Sequence, residues 1–277
     1  MHTTATIASA RASSTVVASA ASHTGMVRAV NEDSHLAIGP VFLVADGMGG
    51  HNAGDKASQA VRATFNTAFA ADAPATTAAV LAAIRASNDA VRAISDDDGA
   101  RRSISGTTLA GVALVASGDT GLLQWMVFNI GDSRIYSWHG RSLAQVSVDH
   151  SAVQELVDSG AITSEEAALR PDRNVITRAI GASDHVDADV WLLPAGRIQS
   201  FLLCSDGLTK ELTDEQIAQI LADSEGDVNA ADALVQAALD AGGRDNVTVV
   251  VVTADTTGPD ADGDDDLDDL EDTRPRA

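Results

Sequence analysis

The feature that most constrains this chain is a repeated way of ending an apolar run. Val41-Phe42-Leu43-Val44-Ala45 is unbroken and stops at Asp46-Gly47, and Phe201-Leu202-Leu203-Cys204 stops at Ser205-Asp206-Gly207. A third run, Leu122 to Ile130, stops at Gly131-Asp132-Ser133. Short apolar runs of this kind read as strands buried on both faces. An aspartate that closes such a strand stands at the rim of the core, where rigid backbone fixes the direction of its carboxylate. The glycine beside it lets a carbonyl or a ligand come close. If the strands lie side by side, their carboxylates converge, and converging carboxylates either keep protons or bind cations. Oxygen donors without His or Cys select Mg2+ or Mn2+. Asp-Gly is also a common turn dipeptide, so the weight rests on the set. Asn31-Glu32-Asp33, and Arg244-Asp245-Asn246 ahead of the last strand, complete the acidic clusters.

The rest of the chain supplies a frame for that set. Strand signals cover Thr15–Ala18, Val41–Ala45, Thr107–Val115, Leu122–Ile130, Ile135–Trp138, Ser142–Val146, Ile198–Cys204 and Val247–Thr253. Helical spacing covers Asp55–Phe69, Thr76–Ile94, Asp149–Ser159, Asp214–Leu221 and Ala230–Ala241, with a capping box at Thr213–Gln216 and a Gly242-Gly243 stop. Many strands with short connections favour antiparallel sheets packed on each other with helices outside. Residues 1–13 read as a disordered lead-in, 14–254 as one folded domain and 255–277 as an acidic disordered tail, because nine Asp and one Glu fall between Asp255 and Asp272.

Composition removes several classes of function. A net charge of −22 argues against nucleic acid and against an anionic membrane surface as partners. The single cysteine, Cys204, excludes an internal disulfide and a Cys-based zinc site. The CxxxxxR loop of cysteine phosphatases is absent around it. No apolar stretch is long enough to span a membrane, and the first twenty residues make a poor signal peptide, so the cytoplasm is the expected compartment.

Taken in order, Ser22 to Asp33, Val44 to His51, Ser105-Gly106-Thr107-Thr108, Asn129 to Arg134, Asp149-His150-Ser151, Asn174 to Gly181, Cys204 to Leu208 and Gly243 to Thr248 resemble the protein phosphatase 2C family, the metal-dependent serine/threonine phosphatases, in its bacterial branch. The resemblance spans roughly residues 15–253. It implies an α+β fold, a four-layer α-β-β-α sandwich of two antiparallel sheets flanked by helices. It also implies hydrolysis of phosphoserine and phosphothreonine on proteins at two Mn2+ or Mg2+ ions. On this resemblance Asp46 bridges both metals, the Gly47 carbonyl binds one, and Asp206 and Asp245 hold the second. Asp33 lines the site, Glu32 acts through metal-bound water, and Asp132 with Asp206 matches a weaker third metal position. Arg28 matches the arginine that grips the substrate phosphate, and Asn246 supports Asp245. A water bridging the two cations is the expected nucleophile, its pKa lowered toward neutrality, with no phosphoenzyme. Met48 stands where some eukaryotic members carry a histidine proposed as general acid. The implied partners are phosphorylated proteins of a bacterial serine/threonine kinase circuit, met by a monomer. The stretch Asp149–Ala182 reads as a flap whose Arg170, Arg173 and Arg178 could meet a phosphopeptide, or be incidental charges of a solvated loop.

Overall fold

The computed structural model describes residues 1–49, 53–69, 73–97, 105–118, 120–224 and 229–258. In chain order these form β1 (His2–Ala8), β2 (Ser13–His23), β3 (Asp33–Ile38), β4 (Val41–Met48), α1 (Ala53–Ala68), α2 (Thr77–Asp97), β5 (Gly106–Thr107), β6 (Leu109–Ala116) and β7 (Leu123–Ile130). There follow β8 (Arg134–His139), β9 (Ser142–Gln145), α3 (Ala152–Asp158), α4 (Ser164–Ala168), β10 (Asp189–Pro194), β11 (Ile198–Cys204), α5 (Asp206–Thr209), α6 (Asp214–Asp223), α7 (Ala230–Ala241) and β12 (Val247–Thr257). One sheet has the order β1-β2-β12-β11-β8-β9 and the other β10-β7-β6-β4-β3, with β5 added beside β4. The named strand pairs are antiparallel.

Period-2 alternation sorts the apolar residues into layers. Phe42 and Val44 of β4 meet Phe201 and Leu203 of β11, Val250 and Val252 of β12, and Trp125 of β7 in the core between the sheets. The alternate residues Val41, Leu43 and Ala45 pack outward with Val61, Phe65, Val80 and Ile84 of α1 and α2. On the other side, Leu202, Cys204, Val247 and Val249 pack with Ile217, Leu221, Leu234 and Ala238 of α6 and α7. The result is the expected α-β-β-α sandwich. Each fully buried Leu, Val or Phe contributes about 1.5–3 kcal/mol, so the three apolar layers hold the strand ends rigidly.

Three expectations change. Residues 2–8, read as a lead-in without structure, form edge strand β1, registered from His2↔Ser19 to Ala8↔Ser13. Their polar, Thr-rich sequence hides this because an edge strand buries little: Ile7 alone of these seven is buried. The domain also runs on through Thr257, since β12 pairs with β2 to its end. The remainder of the acidic tail, 259–277, lies outside the described residues. Finally, β4 and β11 do not lie side by side but in opposite sheets. The inward side chains of both strands share the inter-sheet core, so their carboxylates converge across the sandwich.

Candidate metal centre

The site occupies the end of the inter-sheet core, where the apolar side chains give way to aspartates. Asp33 and Asp46 are direct cross-strand partners on β3 and β4. Like charges directly opposite on a sheet destabilise it, so this pair must hold a proton or meet a cation. Alternation places both on the inner face, with Phe42, Val44 and Ala37. The turn reading of Asp46-Gly47 fails, because β4 continues to Met48. Gly47 is instead a close-approach position: a Cβ there would lie 2.1 Å from the Gly54 carbonyl oxygen. Thr107 and Thr108 fix the Asp46 backbone, Thr107 Oγ1 donating to its carbonyl at 2.9 Å and its N–H donating to Thr108 Oγ1 at 2.9 Å.

The opposite sheet brings the other carboxylates. Asp206 opens the single turn α5 after β11, with Ser205 at the position before the turn. Gly207 lets that turn sit against the last strand, since a Cβ there would be 1.8 Å from the Asn246 carbonyl oxygen. Ser205 Oγ donates to Asp33 Oδ2 at 2.8 Å, tying the two sheets together at the site. Asp132 stands in the connection from β7 to β8. His150 braces that connection, accepting from the Gly131 N–H through Nδ1 at 3.0 Å, and Arg134 next to it pairs bidentately with Asp149, Nε to Oδ1 and Nη2 to Oδ2. Asp245 immediately precedes β12.

The charges of this cluster raise one another's proton affinity. Burial, then the negative charges of Asp33, Asp206, Asp132 and Asp245, push the Asp46 carboxyl well above the ordinary carboxylate range. Burial pushes Asp33 up to about 7 despite hydrogen bonds from Thr248 and Ser205. Asp132 also rises to about 7, through burial and then Asp206 and Asp149. Asp206 is raised by burial although Lys210 opposes the rise. Glu32 is raised by burial, with the Arg28 charge working against it. Asp245 goes the other way: burial would raise it, but Lys210 and Arg28 together hold it below its ordinary value.

Arg28 grips Asp245 through Nε at 2.9 Å and Nη2 at 3.0 Å. Its loop is clasped by Asn246, whose Nδ2 donates to the carbonyls of Thr24 (2.8 Å) and Val30 (2.9 Å) and whose Oδ1 accepts from the Glu32 N–H at 2.8 Å. One buried amide thus sets both the Arg28 loop and the Glu32 backbone. A cavity of about 610 Å³ runs from Asp132, Asp206 and Asp245 along the segment containing α3 and α4, past Arg173. The three arginines of that segment separate: Arg170 pairs with Asp172 and Arg178 with Asp189, whereas Arg173 lines the cavity and donates to the Arg170 carbonyl.

Sequence reasoning missed Lys210. Its ammonium pairs with Asp206 and lies 3.1 Å from Asp245 Oδ2. The available signal was its position, four residues after Asp206, which is the spacing that brings side chains together on a helical turn.

The sequence pattern of the protein phosphatase 2C family matches residues 25–241. This chain belongs to the protein phosphatase 2C family. It is 35% identical over 229 residues to the serine/threonine phosphatase stp of Listeria monocytogenes, covering 79% of this chain and 86% of that protein. It is 41% identical over 234 residues to the serine/threonine protein phosphatase PstP of Mycobacterium tuberculosis, covering 84% of this chain but only 44% of the relative. The crystal structure of M. tuberculosis PstP/Ppp superposes with a TM-score of 0.76 at 38% identity, covering 87% of this chain and 98% of that one. The PstP catalytic domain in complex with two manganese ions superposes at 0.74 and 36% identity, covering 88% and 99%. The chain is therefore a bacterial-type, metal-dependent serine/threonine phosphatase. Among the described residues no helix is long and apolar enough to cross a membrane.

The residues fit divalent metal ions. Asp33 Oδ1 and Asp206 Oδ1 are buried without a hydrogen-bond partner, and an unpaired buried carboxylate oxygen is costly unless a cation takes it. The aspartates of the cluster offer only hard oxygen donors, suited to Mn2+ or Mg2+. Among the described residues, no three such groups close a shell around one point as they stand. Asp245 is drawn toward Arg28 and Lys210 instead.

Proposed function

We propose that this enzyme hydrolyses phosphoserine and phosphothreonine on proteins with a binuclear Mn2+ or Mg2+ centre. Asp46 and the Gly47 carbonyl, with Asp206 and Asp245, would hold the two ions, and Asp132 with Asp206 a weaker third. The observation that carries this reading is the buried carboxylate cluster built from both sheets, with two orphaned oxygens. When bound, the ions supply an activated water and neutralise charge on the phosphoryl oxygens.

The chain's own residues do the rest. Asp33, directly opposite Asp46 in the sheet and held by Ser205 Oγ, would line the centre with a fixed carboxylate. Glu32, fixed by Asn246 through its N–H, acts on solvent at the rim. Arg28, whose Nε and Nη2 hold Asp245 in the metal-free protein, would offer that planar fork of donors to two phosphate oxygens once Asp245 turns to a metal ion. Cys204 is not a nucleophile: it is fully buried, and that burial pushes its thiol up to about 12. Attack by water rather than by a side chain leaves no phosphoenzyme. Arg173 is the flap arginine placed to meet the peptide. On this reading the substrates are phosphoproteins of a bacterial kinase circuit, met in the cytoplasm by a monomer.

The test is hydrolysis of a phosphothreonine peptide by metal-stripped protein, with Mn2+ or Mg2+ restored. Activity that returns only with metal supports the reading. Folded protein that stays inactive with either ion would favour a non-catalytic, phosphoprotein-binding role for the same fold.

A further inference from the structure

Lys210 is one of only two lysines in the chain, the other being Lys56 on α1. It follows α5 directly, as its C-cap, so its side chain folds back over the turn that Asp206 opens. The ammonium bridges Asp206 Oδ2 and Asp245 Oδ2, the second contact at 3.1 Å. These two aspartates come from separate segments, 39 positions apart in number, and among the described residues the ammonium is the one group paired directly with both. Arg28 cannot take this part, because its Nε and Nη2 are already spread over the two oxygens of Asp245.

We infer that the Lys210 ammonium is a built-in substitute cation, seated between Asp206 and Asp245 in the metal-free protein and displaced when a metal ion enters there. This rests on the reading of those two aspartates as metal ligands. An ammonium has donors and no lone pair, so it cannot join a coordination shell. It competes for the same carboxylate oxygens that a divalent ion must accept. Room to leave is present: the side chain is 32% exposed and borders the cavity of about 610 Å³ that opens from the site. The arrangement keeps two carboxylates compensated before metal arrives and weakens metal binding, because the apparent dissociation constant is the intrinsic one divided by the fraction of molecules whose lysine is unseated. It applies to one side of the centre only, since Lys210 has no direct pair with Asp33, Asp46 or Asp132.

Two measurements on the full chain test this. In the first, calorimetry of Mg2+ binding to metal-stripped protein compares wild type with Lys210→Gln. The variant is expected to bind about tenfold more tightly. Its stripped form should melt lower than stripped wild type, with the gap closing at saturating Mg2+. In the second, amine modification of wild type is followed at Lys210 and Lys56 by peptide mass spectrometry. Added Mg2+ should speed modification of Lys210 severalfold and leave Lys56 unchanged. Mg2+ binding with no change in Lys210 reactivity would overturn the proposal, even if the variant proved unstable. Equal affinities in wild type and variant would do the same. No heat of binding in folded wild type would instead overturn the metal reading, and the proposal with it.

Discussion

Asp245 and Asp46 bring the same functional group to the same end of the sandwich and are held in opposite ways. Asp245 sits between a guanidinium and an ammonium, and its proton affinity is depressed. Asp46 faces another aspartate in register, no described lysine or arginine pairs with it or with Asp33, and its proton affinity is strongly raised. One half of the site is neutralised by side chains, and the other is charged against itself. A structural ion network would have balanced both halves. On the proposed metal reading, an incoming cation gains most at the Asp33–Asp46 half, where no described side-chain cation is paired. The Arg28 half carries the cationic donors, spent on Asp245 and Asp206 as the structure stands.

That contrast can be broken or sharpened experimentally. The largest effect is expected from Asp206→Asn, which removes charge where the halves meet. Turnover of a phosphothreonine peptide should fall by at least about a hundredfold while circular dichroism stays unchanged. Retained turnover would remove Asp206 from the centre. Next comes Asn246→Ala, which unclasps the Arg28 loop. Leaving its buried partners unsatisfied should cost about 1–3 kcal/mol in urea unfolding, and KM should rise with it; an unchanged KM would separate the clasp from the phosphate grip. Arg28→Ala should raise KM roughly tenfold, more than it lowers kcat. A pure loss of kcat would move Arg28 from substrate binding to the transition state.

A smaller effect tests the uncompensated half by pH. Asp132 has a folded pKa of about 7 against an ordinary value of 3.8. The folded state therefore binds the proton more tightly, so this group's stabilising contribution is full below about 4 and is lost as pH rises through 7. Asp132→Asn abolishes that titration. The melting temperature of the stripped variant, relative to stripped wild type, should change little at pH 4 and become more favourable above pH 7. A difference that stays flat with pH would mean that Asp132 is not under this strain. Least of all is expected from ending the chain after Gly258, which touches neither half. Hydrolysis of a small aryl phosphate should be unchanged, and a large loss would tie residues 259–277 to the folded domain.

Much of this was legible in the sequence because buried strands write themselves as apolar runs. β4, β7, β11 and β12 announced themselves, and so did the aspartates that close or precede them. The capping box at Thr213–Gln216 is present as read. What stayed hidden had physical reasons. β3 begins Asp33-Ser34-His35, and its inward polar residues serve the site and spoil the apolar pattern. β1 is an edge strand that buries little, and β10, also at an edge, is a short apolar run, Val190 to Leu193, that ends at Pro194. The convergence of Asp46 with Asp206 was foreseen, but its route was not, because no local pattern states whether two strands are neighbours in one sheet or face each other across two. Lys210 was passed over because its meaning depends on Asp245, which lies far along the chain.

The strand order of the first sheet has a consequence for synthesis. β12 is the last of the described strands to leave the ribosome, yet it lies between β2 and β11. Until it emerges, β2 and β11 have no partner to join them, Asp245 has no fixed position, and Asn246 cannot hold the Arg28 loop. A nascent chain can already contain Asp33, Asp46, Asp132 and Asp206 and still lack Asp245 and the clasp on the Arg28 loop. Translation at about 5–20 residues per second thus completes the carboxylate cluster in a single late step. On the proposed reading of those aspartates, a chain cut short before β12 would carry most of the cluster and none of the phosphatase activity.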